Sequence, residues 1–335
     1  MGDKYLITGG AGFIGSHLAE ALLARGDAVV AVDNLSTGRL QNLDNAGHHP
    51  NFRFVQGSIL DELVVDELVH ECDVVVHLAA AVGVQLLIDQ PLRSFTTNIR
   101  GSHIVIEAAH RYRRKVLMAS TSEVYGKNSA GPLEEGADRI LGSPQVARWA
   151  YSTAKAVDEV LAYTYHRERG LPSIVVRLFN TVGPRQSPAY GIVIPRLVRQ
   201  AISAESLTVF GDGAQTRCFC HVADVVNALI QLLDEPRAVG EVFNVGSQEE
   251  ISILALAERI LAATGSPSPI AVIPYEQAYG PGFADMQRRV PSIDKVQGLT
   301  GWVPTLTLED ILRETIAEAA AEQVAQPAST SLLSP

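Results

Sequence analysis

The chain has 335 residues, 47% of them apolar and 19% charged, with a formal net charge of −10. That is globular composition, too long for one small layered core and enough for one large or two intimate domains. The negative charge and the lack of a basic run argue against a nucleic-acid partner. No apolar run reaches bilayer length, which argues against a membrane role, and no secretory leader pattern opens the chain. Three cysteines, Cys72, Cys218 and Cys220, form no disulfide framework, so a reducing cytoplasm is expected.

From the N-terminus, short β-branched runs alternate with helical periods. Tyr5–Thr8, Ala28–Val32, Phe52–Gln56, Val74–Leu78, Lys115–Ala119 and Ser173–Arg177 read as strands. Ser16–Ala24, Asn98–Arg111 and Tyr151–Arg167 read as amphipathic helices. This alternation predicts an α/β fold with a doubly wound parallel sheet. Beyond Pro184 the pattern loosens, and two Gly/Pro-rich stretches, Gly183–Gly191 and Tyr279–Gly282, look like loops that close over a ligand. The expected division is a dinucleotide-binding domain at 1–183, a smaller substrate-binding domain at 184–322 and a disordered tail at 323–335.

The first strand runs into Leu6-Ile-Thr-Gly-Gly-Ala-Gly-Phe-Ile-Gly15. Gly9, Gly12 and Gly15 stand where a strand turns into a helix. The first permits the turn, the second lets backbone approach a pyrophosphate, and the third lets helix and strand pack closely. The anion would sit at the helix N-terminus. The second strand ends at Asp33, whose carboxylate suits ribose hydroxyls and repels a 2′-phosphate, favouring NAD over NADP. His77, near the end of an apolar strand, reads as structural and receives no role.

Tyr151-Ser-Thr-Ala-Lys155 places Tyr151 and Lys155 one helical turn apart on one face. An adjacent ammonium, with the positive nicotinamide of NAD, favours phenolate and makes tyrosine a usable base. Upstream, Ala119-Ser-Thr-Ser-Glu-Val-Tyr-Gly126 ends a strand that would lie beside the nicotinamide. There Thr121 offers a hydroxyl to the reacting oxygen, and Glu123 an acid or base near a second carbon. Neither the His nor the Cys spacing suggests a metal site.

These motifs together resemble the extended short-chain dehydrogenases/reductases that act on nucleotide-sugars as epimerases, dehydratases and decarboxylases. The resemblance runs from Lys4 to about Ile316. It implies a Rossmann-type sheet with a smaller C-terminal α/β substrate domain, bound NAD, a nucleotide-sugar substrate and a homodimer. Thr121, Tyr151 and Lys155 become the catalytic set, with Glu123 and Arg217 handling a carboxylate and protonation. The cofactor would be held by Gly9, Gly12, Phe13, Ile14, Gly15, Asp33, Asn34, Ile59, Leu78, Ala79, Ala80 and Asn98. Ser58 stands where many relatives carry an aspartate facing adenine, a contact that should be rearranged here. Arg177-Leu-Phe-Asn-Thr-Val-Gly-Pro-Arg185 resembles a diphosphate loop, implicating Asn180 and Arg185. Leu207-Thr-Val-Phe-Gly-Asp-Gly213 resembles a uracil pocket, with Phe210 against the base. Ser122, Val193 and Arg289 complete the implied substrate set.

Within this group, Ser120–Gly126 resembles UDP-glucuronate decarboxylases more than 4-epimerases, which usually lack the glutamate. Ala147–Lys155 and Tyr279–Arg289 point the same way, and Arg148 is a candidate carboxylate contact because a guanidinium meets that group bidentately. The 4,6-dehydratases carry an aspartate where this chain has Ser122. The expected activity is therefore decarboxylation of UDP-glucuronate to a UDP-4-keto-pentose or UDP-xylose. The alternatives are a C4 epimerase on a UDP-hexose or UDP-glucuronate, or a non-catalytic NAD-binding sensor.

Overall fold

The computed structural model describes residues 2–82, 90–146, 148–187, 192–279 and 285–325. Six strands follow the expected order: β1 (Lys4–Thr8), β2 (Ala28–Asp33), β3 (Phe52–Gln56), β4 (Val74–His77), β5 (Lys115–Thr121) and β6 (Ser173–Leu178). A seventh, Val242–Val245, pairs with the outer edge of β6, giving the sheet order Val242–Val245, β6, β5, β4, β1, β2, β3. Every pairing in it is parallel. The order reverses at β1, and ligands of such sheets bind outside the carboxyl ends of the strands near that switch.

Side-chain alternation explains why both faces are covered. Tyr5, Ile7, Val74 and Val76 enter one core with Leu18 and Leu22 of the helix Phe13–Arg25. Leu6, Val75, Val116 and Met118 enter the other with Ile104, Val105 and Ala162. Strands buried on both faces read as near-continuous apolar runs, which these do. The helices Pro91–Arg111 and Arg148–Arg169 pack against each other on the second face.

A smaller lobe has its own core, in which Ile194, Leu197 and Val198 meet Val209, Leu256, Ile260 and Ile311. It carries a three-stranded sheet of Glu250–Ser252, Thr216–Cys218 and Arg288–Arg289, and a two-stranded one of Leu207–Phe210 and Ile270–Ile273. The boundary expected at 183 is not a single cut. The helix Val222–Asp234 and the strand Val242–Val245 return to the large sheet, and Val225, Leu229 and Phe243 sit in its core. The last helix runs from Leu308 to Ala325, so the first residues of the expected tail are helical. Its remainder, and parts of both Gly/Pro-rich stretches, lie outside the described residues. Among the described residues no helix is long and apolar enough to cross a membrane.

Candidate active site

A cleft of about 580 Å³ opens at the carboxyl ends of β1, β2, β4 and β5. Its floor is the glycine loop. Gly9 has φ +72°, and a Cβ there would lie 2.9 Å from the Ala79 nitrogen. A Cβ on Gly15 would lie 2.3 Å from the Gly9 carbonyl oxygen, so the helix Phe13–Arg25 starts this close to β1 only because the position is glycine. Asp33, at the end of β2, accepts from the Ala11 N–H at 3.1 Å and the Leu35 N–H at 2.8 Å. Burial raises its pKa, and these two backbone donors oppose that shift. The loop and its acid thus form a cradle into which a pyrophosphate and a ribose fit.

The other expected cofactor residues divide. Phe13, Ile14, Asn34, Ile59, Leu78, Ala79 and Ala80 line the cleft. Asn98 acts from behind. Its side chain accepts from the Ala81 N–H at 2.7 Å and donates to the Ala81 carbonyl at 3.1 Å, holding the segment after β4 in place. Ser58 turns its hydroxyl back to accept from the Leu60 N–H at 3.2 Å, and its neighbours Gly57, Ile59 and Leu60 form the wall instead. Arg185, expected at the substrate diphosphate, lines this first cleft. Its guanidinium donates to Glu20 at 2.8 and 3.0 Å and to the Asn42 carbonyl at 3.2 Å.

A second cavity, of about 310 Å³, adjoins the first, and Thr121, Tyr151 and Asn180 line both. Thr121 ends β5, where its hydroxyl accepts from the Glu123 N–H at 3.2 Å. Tyr151 is buried on the helix Arg148–Arg169. Burial raises its phenol pKa, Glu123 and Asp158 add to the rise, and Arg289 opposes it. Lys155 is buried too, with Nζ donating to the Ala119 carbonyl at 2.9 Å and to Asp158 at 3.1 Å. Lys155, one helical turn from Tyr151, is therefore ion-paired with Asp158 in the interior.

Ser122, Glu123, Val193, Phe210, Arg217 and Arg289 line the second cavity. Two arginines distant in sequence come together through strand register. Arg289 pairs with Arg217, and Arg288 with Thr216, on adjacent parallel strands. Period-two alternation then sends Arg217 and Arg289 inward, while Arg288 reaches Glu250 outside at 2.9 Å. Arg217 donates to Asp285 at 2.9 Å, and Asp285 also accepts from the Tyr275 hydroxyl at 2.8 Å. Arg289 stands 3.5 Å from Glu123 and donates to the Asn180 side chain. Asn180 has φ +24° and donates to the Cys218 carbonyl at 2.8 Å, tying the end of β6 to the smaller lobe. The guanidinium of Arg196 lies 4.5 Å from the centre of the Phe210 ring, and Tyr279 packs on that ring's edge.

Asp285, Tyr275 and Arg196 were not singled out from sequence. Asp285 falls inside the Tyr279–Arg289 motif, but only the fold shows it meeting Arg217. The carboxylate contact expected of Arg148 lies outside the described side chains.

The family model described as GDP-mannose 4,6-dehydratase matches residues 6–315. A UDP-N-acetyl-alpha-D-glucosaminuronate decarboxylase of Bacillus cytotoxicus is 41% identical, covering 94% of this chain and 97% of its own. UDP-glucuronic acid decarboxylase 1 of Danio rerio is 36% identical over 93% of this chain and 72% of that one. Among solved structures, the UDP-glucuronic acid 4-epimerase of Bacillus cereus, in complex with UDP-glucuronic acid and NAD, superimposes with a TM-score of 0.86 at 30% identity, over 95% of this chain and 99% of that one.

Proposed function

Because the chain belongs to the GDP-mannose 4,6-dehydratase family, we propose that its two adjoining cavities hold NAD and a UDP-hexuronate, and that it is a UDP-glucuronate decarboxylase. The observation that carries this reading is the second cavity's charge pattern. Two buried arginines, Arg217 and Arg289, face it beside Glu123. A substrate with a diphosphate at one end and a carboxylate at the other needs two such cations. The names of the decarboxylase relatives support the same substrate class.

NAD fits the first cleft, where the glycine loop would take its pyrophosphate and Asp33 its ribose. When bound, NAD supplies the acceptor for the hydrogen and electron pair leaving C4. Tyr151 takes the O4 proton and Thr121 hydrogen-bonds the same oxygen, leaving a C4 ketone β to the carboxylate. The C5–C6 bond then breaks, CO₂ departs, and the bond's electron pair becomes an enolate spread onto O4. Tyr151, now protonated, and Thr121 stabilise that oxygen. Glu123 lines the second cavity beside Thr121, and we assign it proton delivery to C5. The product is a UDP-4-keto-pentose, and return of hydride to C4 would give UDP-xylose.

NMR of the products from UDP-glucuronate and NAD tests this reading, with the 2-acetamido analogue as a second arm. A keto-pentose or pentose product is expected. An unchanged carboxylate with inverted C4 is the result expected of a 4-epimerase, the reading favoured by the Bacillus cereus structure.

We further propose a homodimer through the helices Pro91–Arg111 and Arg148–Arg169. Phe95, Val160 and Tyr163 on these helices are exposed, and a two-fold pairing into four helices would cover them. Solution scattering at micromolar concentration should give twice the chain mass. All three cysteines are buried free thiols, in keeping with a cytoplasmic location.

A further inference from the structure

Behind Glu123 and Arg289 lies a buried polar junction that the chemistry above leaves unused. Its hub is Asn244, wholly buried on the strand Val242–Val245. Asn244 Oδ1 accepts from the Tyr125 hydroxyl at 2.7 Å. Its Nδ2 donates to the Leu133 carbonyl at 2.9 Å and to the Ser292 carbonyl at 3.2 Å. Both amide hydrogens and the amide oxygen are thus engaged. The Tyr125 hydroxyl, wholly buried as well, accepts from Arg177 Nη1 at 2.8 Å, so its own proton is left to point at Asn244. Arg177 is held in turn by two bonds to the Glu159 carboxylate, at 2.9 and 2.7 Å.

The segments that meet at Asn244 carry the charged pair of the substrate cavity. Tyr125 closes the short helical turn Ser122–Tyr125, which contains Glu123. Ser292 lies just beyond Arg289, and Leu133 pairs with the residues between them. The Leu133 N–H donates to the Val290 carbonyl at 2.8 Å, and the Ser292 N–H donates to the Leu133 carbonyl at 2.9 Å. The backbone beside Glu123 and the backbone after Arg289 are therefore tied to one amide, and the two side chains come within 3.5 Å at the cavity wall. Thr121 is held differently, by its pairing with Leu178 at the end of β5, and Tyr151 and Lys155 stand on a long helix. A buried polar network with its groups satisfied rigidifies the segments that it joins.

We propose that Asn244 and Tyr125 are a positioning pair that sets Glu123 against Arg289, and so governs the loss of CO₂ rather than the oxidation at C4. The proposal rests on the reading of the second cavity as the site of decarboxylation. Neither Asn244 nor Tyr125 lines either cavity, so both act through the residues that they hold.

Two variants cut opposite sides of the junction. Tyr125→Phe keeps the ring and removes the bond on the Glu123 side. Asn244→Asp keeps an oxygen toward Tyr125 but turns another toward the Leu133 and Ser292 carbonyls, removing the bonds on the Arg289 side. Nicotinamide reduction and CO₂ release are followed together in the first turnover of UDP-glucuronate. In each variant reduction should stay within about threefold of wild type, while CO₂ release slows about tenfold or more, as small misplacements of a reacting group do. Reduced cofactor then accumulates. General damage to the fold would slow both steps alike and leave their ratio unchanged. The double variant should lower the ratio no further than the larger single change, because both cut one link. If Asn244→Asp does not fold, Tyr125→Phe decides. A ratio equal to wild type in the folded variants would overturn the proposal. Should wild type release no CO₂, the decarboxylase reading fails, and calorimetry with NAD bound judges the pair separately. UDP-glucuronate should then bind Tyr125→Phe about fivefold more weakly than wild type, with UDP held within about twofold. Equal changes for the two ligands would overturn the proposal.

Discussion

The two cavities that meet at Tyr151 are built in different ways. The cofactor cleft is shaped chiefly by backbone: a glycine loop whose closeness to β1 would be blocked by a single methyl, and an acid held by two N–H groups. The substrate cavity is shaped by charge, with Arg217 against Asp285 and Arg289 against Glu123, all brought together by contacts distant in sequence. A backbone-built site is preorganised and exacting about shape. A charge-built site already has internal partners, so an anionic substrate must compete with Asp285 and Glu123 for the guanidinium groups. Affinity there depends on how well the substrate replaces those pairs.

The sharpest way to break this contrast is at the shared residue. Tyr151→Phe removes the proton acceptor while keeping the ring, and should lower kcat by about 10²–10⁴-fold. NAD affinity, measured by fluorescence quenching, should be unchanged, and near wild-type turnover would remove Tyr151 from the mechanism. Gly15→Ala tests the backbone-built cleft. Its methyl would collide with the Gly9 carbonyl at 2.3 Å, so the helix must move, costing about 1–3 kcal/mol of stability. Chemical denaturation should show that loss, and NAD affinity should fall with it. Arg217→Lys tests the charge-built cavity. Lysine keeps the charge but loses the planar fork, so KM for the sugar nucleotide should rise about tenfold, on the order of 1.4 kcal/mol. NAD affinity should stay as in wild type, and a matching loss there would mean that the two cavities are not separable.

The same contrast explains what the sequence could reveal. The strands expected from apolar runs appear within a few residues, because a two-faced parallel sheet demands local, continuous burial. Gly9, Gly15 and Asp33 are legible for a similar reason: turn, close packing and strand end are local facts. The strand Val242–Val245 was not expected, since three apolar residues interrupted by Asn244 do not announce which sheet they join. The meeting of Arg217 with Arg289 depends on strand register across the smaller lobe, which no local pattern encodes. Arg185 read as a substrate contact because its stretch resembles a diphosphate loop, and only the packing shows its ion pair with Glu20. Asp158 was not singled out, because only the fold shows its buried carboxylate meeting Lys155 at 3.1 Å.

The central claim is that this active site breaks the C5–C6 bond after oxidising C4. It is tested most directly by pairing two readouts, absorbance of the reduced nicotinamide and release of CO₂ from carboxyl-labelled UDP-glucuronate, in wild type and Glu123→Gln. Glutamine keeps the shape and reach of Glu123 without its ionisable group, whereas Thr121, Tyr151 and Lys155 remain for hydride removal. Wild type should release CO₂. Glu123→Gln should still reduce the cofactor while releasing CO₂ about 10²-fold or more slowly, the loss expected for one general acid–base group. Wild-type enzyme that releases no CO₂ and instead converts a UDP-hexose or UDP-glucuronate to its C4 epimer would contradict the account.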